Sequence, residues 1–275
     1  MTTIPLMING LPGNVAGIIF RHAIADNRFT VLPYSLTGPD MADAITLEGV
    51  SVELIKPGER GKRIRDVHDE YGPFISVDYT HPAAVNENVD FYCDNGLPFV
   101  MGTTGGDREG IRKRVLDSSI CAVISPNMAK QIVGLMAMIE YGAKTFPGLF
   151  NGYSMEVRES HQSWKADTSG TAKAMVRYFN RLGIPFTEEQ IYKERDPAVQ
   201  KTEWKIPEKY LDGHGWHTYT LTSADETARF AITHNISGRE IYGEGTLDAV
   251  IYLQKKINEG MRSAVYSMID VLKNN

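Results

Sequence analysis

The sequence predicts an α/β protein in two parts, a parallel-sheet domain and a smaller mixed α+β domain whose sheet is largely antiparallel. Three observations carry that expectation. Through the first half, short apolar runs alternate with amphipathic stretches of about ten residues, the rhythm of strands joined by crossover helices. A glycine-rich turn, IPLMINGLPGNVAG at 4–17, leads the first strand into the first helix. After FPGLF at 146–150 the rhythm gives way to strands separated by long polar connections containing Pro197 and Pro207, as suits antiparallel neighbours.

Taken in order, the apolar runs place strands at Ile4–Asn9, Phe29–Ser35, Val50–Ile55, Phe74–Asp78, Pro98–Met101 and Ala122–Ser125. The amphipathic stretches between them place helices at Asn14–Ala25, Lys62–Tyr71, Ala83–Asn95, Arg108–Asp117 and Met128–Thr145. In the second part Tyr153–Glu159, Trp216–Thr222 and Ala228–His234 read as strands, and a helix opens through Gly170. The last stretch, Thr246–Leu272, returns to helical spacing through Leu247, Val250, Ile251, Leu253, Ile257, Met261, Val265, Ile269 and Leu272. It is expected to pack back on the first domain. The domains are therefore 1–127, completed by 239–275, and 128–238, with hinges for closure near residues 127 and 238.

Composition narrows the function. At 275 residues, with 42% apolar and 23% charged side chains and a formal net charge of −5, the chain has an ordinary globular balance. It carries no electrostatic footprint for nucleic acid or anionic lipid, so any anion must be held by local donors. Cys93 and Cys121 sit in apolar surroundings without CxxC spacing and read as reduced structural thiols. IVGLMAMI at 132–139 stops at Glu140, too short to span a bilayer. The chain starts almost directly with a strand, so no signal peptide is expected, while a transit peptide already removed stays open.

The glycine-rich turn has a physical reading. Gly10 permits the tight turn, Gly13 lets a pyrophosphate approach the backbone, and Ala16 lets helix and strand pack closely. With the N–H groups of the helix start, Gly10, Leu11, Pro12, Gly13, Asn14 and Val15 form the expected dinucleotide contact of a Rossmann-like domain. Such sites often carry a carboxylate after the second strand to grip NAD ribose. Here that region reads LPYSLTGPD and the nearest carboxylate, Asp40, comes late. NADPH is thereby favoured over NADH, and the basic run GERGKR at 58–63 is either a reader of its 2′-phosphate or a solvated loop. In a parallel sheet the loops after successive strands share one edge. DYTHP at 78–82, GTTGG at 102–106 and SPNMAK at 125–130 are chemically rich. Any one alone reads as a capped turn with Thr or Asn as N-cap, but their coincidence on one edge favours a cofactor cleft, with Thr80, Gly102, Thr103, Thr104, Ser125, Pro126, Asn127 and Met128 as the expected contacts.

The densest chemistry is ESHQSWKADTSGTA at 159–172. His161 and Lys165 lie four apart, and a Ser-Gly-Thr helix start follows, so one part can move protons and the other can hold an anion on backbone N–H groups. His214, His217 and His234 read as structural because no metal-ligand spacing links them, and no metal is expected. Arg239 is either a reader of a substrate carboxylate or a surface arginine at a helix start.

These motifs, in this order and over essentially the whole chain, resemble the 4-hydroxy-tetrahydrodipicolinate (dihydrodipicolinate) reductases, and most closely their plant-type branch. GHGWHTYTLTSADET at 213–227, HNISGREIYGEGTLDAV at 234–250 and MIDVLK at 268–273 extend the likeness. The resemblance implies hydride transfer from NADPH or NADH to ring carbon C4 of a small dicarboxylate, in lysine and diaminopimelate synthesis. It implies His161 and Lys165 as the catalytic pair, with Lys165 the proton donor. Gly170 and Thr171 would hold a substrate carboxylate, with Ser169, Gln162 and Arg239 beside it. It also implies a homodimer or homotetramer built through the second sheet, working in the cytoplasm or the plastid stroma. Two departures from bacterial members match the plant type. Gln162 stands where they have a second histidine, and Asp167-Thr-Ser-Gly-Thr171 is one residue shorter than their Asp-Ala-Pro-Ser-Gly-Thr. Other two-domain nicotinamide dehydrogenases fit less well, since neither cysteine lies in a polar loop as an aldehyde-type nucleophile would. A non-catalytic nucleotide-binding regulator would lack the His/Lys pair.

Overall fold

The structure, a computed structural model, describes residues 3–274. In chain order it begins with β1 (Ile4–Asn9), α1 (Asn14–Ile24), β2 (Phe29–Val31), β3 (Tyr34–Leu36), β4 (Ala44–Leu47), β5 (Val50–Ile55) and α2 (Arg60–Tyr71). Then come β6 (Ile75–Asp78), α3 (Val85–Asp94), β7 (Phe99–Met101), α4 (Arg108–Leu116), β8 (Cys121–Ile124) and α5 (Lys130–Thr145). The remainder is β9 (Ser154–His161), α6 (Gly170–Arg181), β10 (Tyr192–Glu194), α7 (Pro197–Thr202), β11 (His214–Thr222), β12 (Arg229–Ser237), α8 (Ile241–Asn258), β13 (Ala264–Tyr266) and α9 (Met268–Leu272). The chain divides into one unit of Met1–Val133 with Glu240–Asn275 and a second of Gly134–Arg239.

In the first unit a six-stranded sheet runs β13-β8-β7-β6-β1-β2, every pairing parallel. Leu6, Met7 and Ile8 of β1 are all buried. Successive strand residues point to opposite faces, so such an unbroken apolar run requires cover on both. Leu6 and Ile8 pack with Ile19 and Phe20 of α1 and with Val250 and Leu253 of α8. Met7 packs on the other side with Ile64 and Val67 of α2 and Val89 of α3. Each such side chain contributes about 1.5–3 kcal/mol by leaving water.

Four expectations change on this unit. The strand expected at Phe29–Ser35 is two strands in two sheets. Pro33 has no N–H to donate and breaks the ladder; its carbonyl instead accepts from Glu53 N at 2.9 Å. Beyond it β3 pairs with β5, and β5 with β4, as a separate three-stranded sheet. The strand at Val50–Ile55 therefore forms as expected but lies outside the main parallel sheet. The continuous helix expected over Thr246–Leu272 stops at Asn258, and Gly260 follows at φ +79°. The chain then turns into β13, parallel to β8, before the short α9. The GERGKR run is not a loop, because α2 starts at Arg60 and Arg63 is committed to Glu53 and Asp66.

The second unit holds a four-stranded sheet, β10-β9-β11-β12. The β9–β11 and β11–β12 pairs are antiparallel and β10–β9 is parallel. Met175, Val176 and Phe179 of α6 bury one face of it against Val157, Tyr219 and Leu221. Among the described residues no helix is long and apolar enough to cross a membrane.

Candidate active site

The glycine-rich turn is fixed by backbone geometry. Gly10 follows β1 at φ +103°, and a Cβ there would lie 2.2 Å from the Tyr79 carbonyl oxygen; only glycine fits. Gly10 N donates to Leu36 O at 2.9 Å, Leu11 N to Ser35 Oγ at 3.2 Å, and Thr37 Oγ1 to Leu11 O at 3.0 Å. Gly13 then starts α1 without a side-chain cap, leaving first-turn N–H groups for an anion.

Beside this turn lies a cavity of about 790 Å³. Gly10, Leu11, Pro12, Gly13 and Thr80, all expected cofactor contacts, line it, and Asn14 and Val15 are the first two residues of α1 next to it. Thr37, Gly38, Arg60, Tyr79 and Glu87 also line it and were not singled out by sequence reasoning, although Arg60 lies in the GERGKR run. Arg60 Nη1 donates to Asn88 Oδ1 at 2.8 Å, while its buried Nε has no hydrogen-bond partner.

Asp78, fully buried at the end of β6, organises the loops around this cavity. Its Oδ1 accepts from Thr80 N at 3.1 Å, Thr80 Oγ1 at 2.9 Å and Thr103 Oγ1 at 2.6 Å. Its Oδ2 accepts from Asn88 Nδ2 at 3.0 Å and Tyr92 Oη at 2.7 Å. Thr103 is thus occupied as a strut. Gly102 N donates to the Asp78 carbonyl at 3.1 Å, and Thr104 is exposed. Ser125 Oγ donates to Asn127 O at 2.7 Å and Asn127 Oδ1 accepts from Ala129 N at 2.9 Å, forming a self-contained turn with Pro126. Met128 is buried in the core of this unit. None of Gly102–Thr104 or Ser125–Met128 is on the cavity wall.

In the second unit, pairing register builds the other cluster. Glu159 on β9 stands opposite His217 on β11, which stands opposite His234 on β12. His161, two residues along β9 from Glu159, shares their face. His161 Nδ1 donates to the His214 carbonyl at 3.1 Å, so that nitrogen carries the proton and Nε2 keeps its lone pair. Nε2 lies 3.2 Å from His217 Nε2, which donates to it. Burial, with the nearby His217, Arg195 and Lys165, drives the His161 pKa down to about 3. Glu159 has no exposed side-chain surface. Burial alone would raise its pKa, but His217 and the Arg195 guanidinium outweigh that and hold it at about 2.

Arg195, which sequence reasoning passed over as part of a polar connection, braces this site. Its Nη2 donates to Glu159 Oε1 at 2.5 Å and its Nε to the Lys165 carbonyl at 2.8 Å; Nη2 also reaches the Asp167 carbonyl at 3.3 Å. Ser169 N donates to Glu159 Oε2 at 3.1 Å. The middle and the far end of the 162–169 loop are therefore tied to one ion pair. Lys165 Nζ meets Asp167 Oδ1 at 2.6 Å, and Gln200 Nε2 holds the His161 carbonyl at 2.7 Å. Gln162 is half-buried at the loop's start. Ser169 makes no side-chain cap, and Gly170 and Thr171 form the first turn of α6. Arg239 Nη2 reaches the Asp212 carbonyl at 3.5 Å. His214, as expected, is structural: Nε2 accepts from Ser160 Oγ at 2.9 Å and Nδ1 donates to Tyr210 O at 3.0 Å.

A parallel-sheet unit with a glycine-rich first turn, and a second unit carrying a Glu/His/Lys cluster at a helix N-terminus, define a pyridine-nucleotide oxidoreductase. Residues 4–128 match the family described as dihydrodipicolinate reductase, N-terminus, and residues 132–272 match dihydrodipicolinate reductase, C-terminus. The chain belongs to the dihydrodipicolinate reductase family. It is 44% identical over 271 residues to 4-hydroxy-tetrahydrodipicolinate reductase 2, chloroplastic, of Arabidopsis thaliana, covering 98% of this chain and 77% of that one. It is 42% identical over 270 residues to a probable chloroplastic 4-hydroxy-tetrahydrodipicolinate reductase 1 of Oryza sativa subsp. japonica, covering 98% and 78%. The dipicolinate-bound dihydrodipicolinate reductase of Paenisporosarcina sp. TG-14 shares the fold with a TM-score of 0.66 at 18% identity, covering 97% of this chain and 98% of that one.

Proposed function

We propose that the protein reduces 4-hydroxy-tetrahydrodipicolinate to tetrahydrodipicolinate in lysine and diaminopimelate synthesis, with Lys165 as proton donor. The observation that carries this reading is the loop that holds Lys165 between His161 and the start of α6, braced by Arg195 on Glu159.

The cavity fits a dinucleotide. It has the size, the glycine-rich turn at a helix start, and in Arg60 Nε a buried donor without a partner on its wall. When bound, the reduced nicotinamide supplies hydride to ring carbon C4 once the 4-hydroxyl has left. Quenching the resulting enamine at the adjacent carbon needs an acid. His161, held near 3, is neutral at physiological pH and has no proton to give from Nε2. Lys165 is the group left to deliver it, while the doubly anchored His161 ring orients the substrate. The N–H groups of Gly170 and Thr171, the Thr171 hydroxyl and Ser169 receive one carboxylate, and Gln162 and Arg239 assist the other.

Absence of a carboxylate after β3 until Asp40, together with Arg60, favours NADPH over NADH. β12 is an edge strand with Phe230 48% exposed, and pairing through that sheet would give a homodimer or homotetramer. The chloroplastic relatives favour the plastid stroma over the cytoplasm as the place of action.

The test follows NADPH and NADH absorbance separately while the preceding synthase generates substrate from pyruvate and aspartate semialdehyde. Synthase-dependent oxidation, faster with NADPH, is expected. Binding of both nucleotides with consumption of neither would overturn the substrate assignment.

A further inference from the structure

The geometry points to a reversible divalent transition-metal site, of the kind zinc occupies, formed by Glu159 Oε2, His161 Nε2 and His217 Nε2. These three atoms lie within 4.8 Å of one another, with His161 Nε2 to His217 Nε2 at 3.2 Å and His217 Nε2 to Glu159 Oε2 at 3.7 Å. A tetrahedral ion with bonds of about 2.0–2.2 Å wants its ligand atoms roughly 3.4 Å apart; both His217 distances are within a few tenths of an ångström of that, and the Glu159–His161 separation, within 4.8 Å, closes by side-chain rotation as the ion is taken up. Strand register makes the arrangement. Two ligands come from positions 159 and 161 of β9, on one face, and the third comes from the residue opposite Glu159 on β11. Gly215 faces His161 across the ladder, and a Cβ there would stand 3.0 Å from His161 Cε1. A side chain at 215 would crowd the ring out of its place over β11.

Supporting contacts already suit metal binding. His161 donates Nδ1–H to a backbone carbonyl, which fixes the tautomer with Nε2 open, as ligating histidines do. The second oxygen of Glu159 is held by Arg195. Glu159 and His217 are buried, while His161 is half-buried and offers the way in. On binding, His217 gives up its Nε2–H and carries its proton on Nδ1, which has no hydrogen-bond partner. That cost, and the cationic Arg195 and Lys165 beside the site, set it towards exchangeable rather than structural binding. The ion would occupy His161 and exclude the dicarboxylate. Metal binding follows from the histidine and glutamate geometry alone; only the inhibition rests on the catalytic reading above.

Cobalt(II) is the probe, because a four-coordinate site of two nitrogens, one carboxylate oxygen and a water gives it visible ligand-field absorption. Titration of the nucleotide-free protein is expected to give one such site, displaced by one equivalent of zinc. The signal should weaken about 100-fold or more in affinity in His217→Gln, with nucleotide binding and circular dichroism retained as proof of folding. Absence of the visible band in wild type, or its persistence in folded His217→Gln, would overturn the site. If His217→Gln does not fold, the same titration with Gly215→Val, which crowds the His161 ring, decides on the same terms. Zinc inhibition competitive with the dicarboxylate is also expected. Stoichiometric binding without inhibition would leave the metal site standing and remove His161 from catalysis.

Discussion

Arg195→Ala removes the cation from a buried carboxylate and should unfold the second unit early. Glu159 has no exposed side-chain surface and Arg195 only 18%, so the remaining carboxylate would be left inside without its main partner. Truncating one member of a buried pair costs about 3–5 kcal/mol. The depressed Glu159 pKa, which His217, Arg195 and His161 produce together, gives the pH dependence. Glu159 sits at about 2 against an ordinary 4.5, and about 2.5 pH units correspond to roughly 3 kcal/mol. Because the folded pKa is the depressed one, that stability is present above pH 4.5 and is lost as pH falls towards 2. In Arg195→Ala the folded pKa rises, so the deficit against wild type is full at neutral pH and narrows below about pH 4. All three tryptophans, Trp164, Trp204 and Trp216, lie in the second unit, so their fluorescence during urea unfolding, with a chelator present, reads that unit alone. A neutral-pH loss under about 1 kcal/mol, or a deficit that does not change with acid, would refute the bracing role.

Asp78→Asn places an amide donor among five donors and should cost about 2–3 kcal/mol of stability, with nucleotide affinity falling at least about tenfold by calorimetry. Unchanged affinity would detach the Asp78 hub from the cavity. Arg60→Met should weaken NADPH about tenfold while leaving NADH nearly as it was; equal losses would remove Arg60 as a reader of the 2′-phosphate.

What the sequence reveals follows from how local the cause is. β1 and β7 are legible because strands buried on both faces carry unbroken apolar runs, Leu6–Ile8 and Phe99–Met101. The turn at Gly10 is legible because one residue carries its geometry. Pro33 is visible as a breaker, but that the chain leaves the main sheet there depends on pairing with β5. β10 and β13 are three-residue strands whose existence comes from their neighbours rather than their own pattern. His217 and Arg195 are hidden for the same reason: 56 residues separate His217 from His161 and 36 separate Arg195 from Glu159. Only strand register and the return of the polar connection bring them together, so neither residue's own neighbours in the sequence announce the contact.

The most direct test is single-turnover nucleotide oxidation by Lys165→Ala beside wild type, with substrate made in place and nucleotide affinity measured in the same samples. Loss of a general acid lowers the rate about 10²–10⁴-fold, and the cavity residues lie in a different unit from Lys165. The expected result is therefore a fall of at least about 100-fold in rate with unchanged nucleotide binding. Near-normal turnover in the variant would contradict Lys165 as the proton donor.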